Sequence, residues 1–290
     1  MIEDNEFYWK LLDTMKDGVC FANKKRKLTY WNKAAEELTG YRSGEVLGRG
    51  CCENILIHID LEGDILCENK CPMRRAMDIE KTVECKLFLH HKDGHRVPVT
   101  VRVNPVKNKK GEVIGAVQIF SDRSAKELFM DRMQKLEHSG YVDPLTKIPN
   151  QKYIELHLKT RFWVMSQAGL PFGILYMKID QMEEIKKNYG PKTVEHVLKN
   201  TAQTFINNMT PLDLIGRWEE EAFMGVFRNV DKDELDKIAH MYRVLVEKTS
   251  FFVDQQPLTI TISTAPVLAE PTYNEKTIVE KAKKVLLEKG

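Results

Sequence analysis

The run from Leu212 to Phe227 confines the second half of the chain more than any other stretch. It reads Leu212-Asp213-Leu214-Ile215-Gly216, then Arg217-Trp218-Glu219-Glu220-Glu221-Ala222-Phe223, then Met224-Gly225-Val226-Phe227. Two apolar runs of strand composition flank three consecutive carboxylates, the pattern of a β-hairpin with an acidic tip. Taken alone the tip reads as a solvated turn, since charge runs face water. The alternative is a carboxylate site for a metal, and the rest of the chain decides between the two.

With 290 residues the chain is long enough for two domains, each able to bury a core of its own. The 44 basic residues nearly balance the 42 acidic ones, so a net charge of +2 gives no electrostatic case for nucleic acid or for an anionic membrane surface. No apolar run reaches the length of a membrane span. The acidic start Met1-Ile2-Glu3-Asp4 is unlike a signal or basic targeting segment, which makes the cytoplasm the expected location. Six cysteines (Cys20, Cys51, Cys52, Cys67, Cys71 and Cys85) all fall in the first third. In a cytosolic chain such clustering points to metal or redox chemistry rather than to a disulfide scaffold.

Residues 1–122 pattern as an α+β domain. An amphipathic start with Phe7, Leu11, Leu12 and Met15 leads through Asp17-Gly18 into the strand-like Val19 to Ala22. The basic turn Lys24-Lys25-Arg26-Lys27 precedes a second strand, Leu28 to Asn32, and a helix from Lys33 that ends at Gly40. Three extended segments follow later, Thr82 to His90, Arg96 to Val106 and Val113 to Phe120, joined by turns at Asp93-Gly94 and Lys110-Gly111. His90, His91 and His95 surround the first of these turns and read as an exposed hairpin tip. Cys20 and Cys85 lie in predicted strands and read as core.

This segment resembles the PAS sensor family through Asp17-Gly18-Val19, Tyr30-Trp31-Asn32-Lys33-Ala34-Ala35-Glu36, Leu38-Thr39-Gly40-Tyr41, Val46-Leu47-Gly48 and Phe120-Ser121-Asp122, all in family order. The resemblance implies an antiparallel sheet with flanking helices. It does not name a ligand, because PAS pockets hold haem, flavin, small acids, metals or nothing. Between helix and third strand lies a cysteine-bearing insertion, Gly48 to Asp60 and Leu66 to Pro72. Cys51, His58, Cys67 and Cys71, with Cys52 as an alternative to Cys51, have the donor chemistry for zinc or an iron–sulfur centre. The competing reading makes these thiols small buried hydrophobes and has His58 bonded to its own loop.

Residues 123–142 lack proline, and their apolar positions Leu128 or Phe129, Met133 and Leu136 recur at helical spacing. Placed between sensor and output, this segment resembles a signalling helix through which a homodimer transmits a shift; a linker helix packed on one domain is the other reading.

Residues 143–290 alternate helix and strand patterns around an apolar run, Phe172 to Met177, and form an expected α/β domain. Its strands are expected at Phe172 to Met177, at the opening hairpin and at Leu258 to Ile262. Asp143-Pro144-Leu145-Thr146-Lys147-Ile148-Pro149-Asn150 together with Asp213-Leu214-Ile215-Gly216-Arg217-Trp218 and Phe223 resemble the GGDEF family of diguanylate cyclases.

Measured against that family the site letters depart. Lys178 stands where an active member has a metal-binding Asp, Glu183 where a phosphate-facing Lys belongs, and Lys186 where Asn reads guanine. Ala222 replaces the last acid of the signature, and Glu219-Glu220 replaces its two glycines. Asp180, Glu195 and Glu221 remain as a vestigial nucleotide and metal pocket. The product-binding Arg is also missing, its motif reading Thr210-Pro211-Leu212-Asp213. No catalytic residue is assigned. The chain is therefore expected to be a bacterial signalling protein and not an enzyme. In it a PAS input module with a metal or an unknown ligand controls a degenerate GGDEF-like domain that works as a homodimer or through a protein partner. Two other readings stay open: a residual diguanylate cyclase or nucleotide-binding enzyme, and a dimer scaffold with an empty PAS pocket.

Overall fold

The computed structural model describes residues 2–124 except 52, 54, 61 and 62, positions 129, 133 and 136 beyond them, and 139–289 except 211, 250, 254 and 255. The chain divides into two compact units, Met1–Ser124 and Ala125–Gly290.

The first unit runs α1 (Ile2–Asp13), β1 (Gly18–Asn23), β2 (Leu28–Trp31), α2 (Lys33–Thr39), α3 (Ser43–Val46), α4 (Leu66–Asn69), α5 (Pro72–Ile79), β3 (Val83–His90), β4 (Arg96–Lys107) and β5 (Val113–Asp122). Its five-stranded sheet has the order β2-β1-β5-β4-β3, and every neighbouring pair is antiparallel. Asn32 fixes how helix and sheet meet. Fully buried, it caps α2 by accepting from the Ala35 amide at 2.9 Å, accepts from Val19 at 2.8 Å, and donates to the carbonyls of Leu12 and Asp17. Gly40 ends the helix in the left-handed region at φ 74°. Gly115 lets β1 and β5 approach, since a Cβ there would stand 2.2 Å from the Ala22 carbonyl oxygen.

The three long strands and both of their turns lie where turn chemistry and alternation place them. The histidines of the first turn do not behave as an exposed tip: His90 and His95 are buried, and only His91 keeps partial exposure. The end of α2 covers the turn. The Lys92 amide donates to the Thr39 carbonyl at 2.8 Å, and the Tyr41 ring packs 6.3 Å from that of His90. Cys20 is core as expected, whereas Cys85 is only partly buried.

The second unit contains α6 (Gln151–Ala168), β6 (Phe172–Ile179), α7 (Met182–Asn208), β7 (Leu214–Arg217), β8 (Ala222–Arg228), α8 (Lys232–Glu247), β9 (Phe251–Val253), β10 (Gln256–Leu258), β11 (Ile262–Leu268) and α9 (Thr277–Lys289). The order β11-β6-β8-β7 puts β6 and β8 in the middle of an antiparallel four-stranded sheet, and β9 pairs with β10 separately. β6 is apolar on both faces because both are covered. Leu175, Met177 and Ile179 join a core with Phe205 and Tyr242, whereas Ile174 and Tyr176 join one with Ile154 and Ile278. Asn150 caps α6 through the Tyr153 amide, and α7 is broken at Gly190, φ 80°, just ahead of Pro191.

The last strand lies further along than the sequence pattern suggests. The β-branched run 258–262 is mostly outside the main sheet, and β11 instead carries Pro266. An edge strand tolerates a residue that cannot donate to a ladder, which is why the proline did not break it. Phe129 and Met133 are buried in the core with Leu175, and Leu136 packs against it, so these seam positions are taken up within the second unit. Leu128 lies outside the described residues. No helix among the described residues is long and apolar enough to cross a membrane.

Candidate functional site

The hairpin joining β7 and β8 opens onto a cleft of about 500 Å³ whose lining includes Lys178, Asp180, Glu183, Glu221, Ser263 and Leu287. Register places Lys178 opposite Ala222, and the Ile179 amide donates to the Glu221 carbonyl at 3.0 Å, so the end of β6 and the hairpin tip are one structure. Lys178 Nζ stands 3.8 Å from Glu221 Oε2. Both oxygens of Asp180 accept hydroxyls, from Thr261 at 2.7 Å and from Ser263 at 2.8 Å. Ala222 is buried and offers no donor.

Glu219 turns away from the cleft. It accepts from the Tyr176 hydroxyl at 2.9 Å and pairs with Lys283 of α9, whose ammonium lies 5.9 Å above the Tyr176 ring. Burial pushes its carboxyl up, but these two partners outweigh that and hold it below the usual range. Glu220 is exposed, and neither glutamate has a positive φ, so the turn forms without the freedom that glycine supplies. Arg217 braces the tip from beneath, donating to the Glu220 carbonyl at 2.8 Å and reaching Asp143 Oδ1 at 3.3 Å. Glu183 is exposed at the cleft's rim. Lys186 and Glu195 are exposed on α7 and are not part of the cleft lining; Glu195 pairs with Lys199 at 3.9 Å.

The first unit gathers its thiols. Cys51, Cys67 and Cys71 are all buried, and Cys51 and Cys71 belong to one core cluster with Leu66 and Met73. Cys71 is the N-cap residue of α5 and makes no side-chain capping bond; the Cys51 thiol, and then the nearby Arg74 amide, Arg26 side chain and Met73 amide, pull it down from the ordinary thiol range against the opposing effect of burial. Burial drives Cys20 up to about 12, outweighing the opposing effect of the Gln118 backbone. Cys67 sulfur accepts the His58 amide at 3.3 Å, but the His58 ring points elsewhere, its Nε2 lying 3.3 Å from Gln118 Nε2. Burial and the nearby Arg96 guanidinium lower His58 to about 4, so the ring is neutral. Among the described residues no three His, Cys, Asp or Glu side chains converge to hold a metal ion; Cys52 lies outside the described residues. Of the four expected ligands, Cys51, Cys67 and Cys71 are buried, and His58 reaches Cys67 through its backbone amide and not through its ring.

A model of the diguanylate cyclase GGDEF domain matches residues 140–289, and a model of the PAS fold matches residues 6–123. The chain belongs to the GGDEF family and carries a PAS domain ahead of its GGDEF domain. Diguanylate cyclase DosC of Escherichia coli is 25% identical over 139 residues, 47% of this chain and 30% of that protein. Probable diguanylate cyclase DgcE of the same organism is 20% identical over 223 residues, 77% of this chain and 20% of its own length. The chain therefore spans well under half of these relatives. Among solved structures, diguanylate cyclase SiaD from Pseudomonas aeruginosa, in complex with its activator SiaC, matches with a TM-score of 0.51. It is 20% identical, covering 56% of this chain and 63% of that one, a likeness of fold.

The GGDEF cleft fits a pair of divalent cations poorly. A carboxylate cage needs free oxygens on several acids. Here Glu221 has an ammonium beside it and Ala222 has no oxygen to give, while Asp180, each of whose oxygens accepts one hydroxyl, keeps lone pairs for a cation. Sequence reasoning missed Thr261, Ser263 and Lys283 in this GGDEF site and Arg26 in the PAS domain. The first two follow from the β6–β11 register, in which Ser263 lies opposite Lys178, and that register is hidden until the last strand is placed. Nothing in the basic turn 24–27 marked Arg26 as different from its three neighbours.

Proposed function

We propose that the chain is a signal-transduction protein whose PAS domain controls a GGDEF domain that has lost cyclase chemistry and acts by docking, on a partner protein or on a second copy of itself. Lys178 carries this reading: its ammonium lies 3.8 Å from Glu221, at the strand end where the family's metal-binding acid belongs. Phosphoryl transfer in such a site is positioning plus neutralisation of charge by metal, so an ammonium beside Glu221, one of the two acids left at the strand end, opposes the element that the chemistry depends on. The exposed Glu183 adds negative charge to the lining of the cleft, where a triphosphate would be repelled. The fold stays intact beneath these changes, which is what a docking module requires. The direct test incubates the full chain with GTP and magnesium and measures cyclic dinucleotide. The expected result is no product above a no-protein control. Turnover that Glu221→Ala abolishes would instead establish a working cyclase.

A further inference from the structure

Two turns at one end of the PAS sheet are built alike. In Asn23-Lys24-Lys25-Arg26-Lys27 the Asn23 side-chain oxygen accepts the Lys25 and Lys27 amides at 2.9 and 3.1 Å, and Arg26 is left-handed at φ 59°. In Asn108-Lys109-Lys110-Gly111-Glu112 the Asn108 oxygen accepts the Lys110 and Glu112 amides at 2.9 and 3.0 Å, and Gly111 stands at φ 82°. Each turn therefore presents an exposed lysine pair at the same two positions, Lys24-Lys25 and Lys109-Lys110, and Lys27 adds a further exposed ammonium. Register makes the turns neighbours, because Asn23 at the end of β1 lies opposite Gly115 near the start of β5. None of these five lysines forms an ion pair among the described residues. The acids at this end are fewer: Glu53, Glu80, which pairs with Lys107 at 2.5 Å, and Glu112, which accepts from Asn108 at 2.9 Å. The opposite end of the sheet holds Asp17, Asp93 and Asp122 among its cations, so charge is sorted along the strands and the net +2 of the chain conceals it. Three aliphatic side chains stand exposed at the basic end. Ile114, 42% exposed, follows the second turn, and Leu47, 45%, lies beside the start of β2, where the Gly48 amide donates to the Leu28 carbonyl at 2.8 Å. Ile79, 47%, ends α5 just before Glu80.

We propose that this basic end of the PAS sheet docks on an anionic lipid bilayer, with the two lysine pairs against the headgroups and Ile114, Leu47 and Ile79 seated at their depth. Neighbouring strands lie about 4.8 Å apart, so five strand ends and their turns offer a face roughly 20 Å across. Nucleic acid would engage the ammoniums through its phosphates but would leave the bare aliphatic side chains unused. Projecting turns do not wall a groove in which an acidic peptide could lie. An anionic bilayer meets both features, since its headgroups attract lysine and its interface accepts shallow apolar side chains. The contact is peripheral, because no helix among the described residues is long and apolar enough to cross a membrane. It uses no residue of the GGDEF cleft and does not rest on the loss of cyclase activity, which the GTP assay tests separately.

The experiment sediments the full chain with sucrose-loaded vesicles of equal parts phosphatidylglycerol and phosphatidylcholine, and in parallel with vesicles of phosphatidylcholine alone. The expected result is pelleting with the first, none with the second, and release as added salt screens the lysines. A lysine near an anionic surface contributes about fivefold in affinity, so Lys109→Gln with Lys110→Gln should weaken binding about 25-fold. Lys33→Gln, at the other end of the sheet, should leave binding unchanged. Ile114→Ser should weaken it by a factor that salt does not alter, since the apolar contribution is not screened. Equal pelleting with both vesicles, no pelleting with the anionic ones, or binding that survives loss of the lysine pair would each overturn the proposal. So would a chain that duplex DNA or polyglutamate retains and anionic vesicles do not. The wild-type comparison of the two vesicles decides the matter even where a variant fails to fold.

Discussion

Acid should unfold the first unit from the inside. His58 and His90 are each 3% exposed, and burial, reinforced by Arg96, lowers them to about 4 and about 3. An unfolded imidazole titrates near 6.5, so below that value the unfolded chain binds protons that the folded chain refuses. The stabilisation is complete above the unfolded value and drains away as pH falls through the window toward the folded values. Between about pH 7.5 and pH 5 each site withdraws roughly 2 kcal/mol, some 4 kcal/mol together and a large part of a domain's stability. All six cysteines lie in this unit. Its urea midpoint can therefore be read in the intact chain by pulse labelling with a pyridyl disulfide, which stays reactive in acid. The midpoint should fall steeply across the window, and His58→Gln should remove about half of the slope. A midpoint flat from pH 7.5 to 5, or an unchanged slope in the variant, would refute the reasoning.

Other perturbations have equally definite outcomes. Gly115→Ala drives a methyl into the Ala22 carbonyl, and should cost about 3 kcal/mol in the same labelling assay. Gly44→Ala, a helical site with nothing within 4 Å, should be neutral or stabilising by up to about 1 kcal/mol. Lys178→Asp removes the ammonium beside Glu221, and the variant's thermal midpoint should rise with millimolar magnesium where the wild-type midpoint does not. Asp231→Ala deletes the capping box of α8, in which the side chain accepts the Glu234 amide at 2.8 Å; calorimetry should register a loss of about 1 kcal/mol.

What could be read in advance was local. The turns at Asp93-Gly94 and Lys110-Gly111 declared the three long strands because turn preferences act over two residues. The Lys33–Thr39 helix was legible from its composition and its Gly40 stop, although its Asn32 cap read as the end of the preceding strand. Features set by distant packing were not legible. His90 and His95 looked solvated until Thr39 and Tyr41 closed over their turn. Asp180 could be read as a pocket residue, but its hydroxyl partners Thr261 and Ser263, some eighty residues on, could not. The thiols could be counted from the sequence, but that Cys51 and Cys71 share one buried cluster depends on packing across the insertion.

The clasp at the hairpin tip links two stretches that could otherwise vary independently. Glu219→Gly would restore the family's letter, but it would also strand the Tyr176 hydroxyl and release Lys283 from its carboxylate. The fitness of a glycine at the tip therefore depends on which residue the last helix presents to it. A path back to the family's glycine must alter both stretches, and the order of those steps determines whether the intermediates keep α9 anchored.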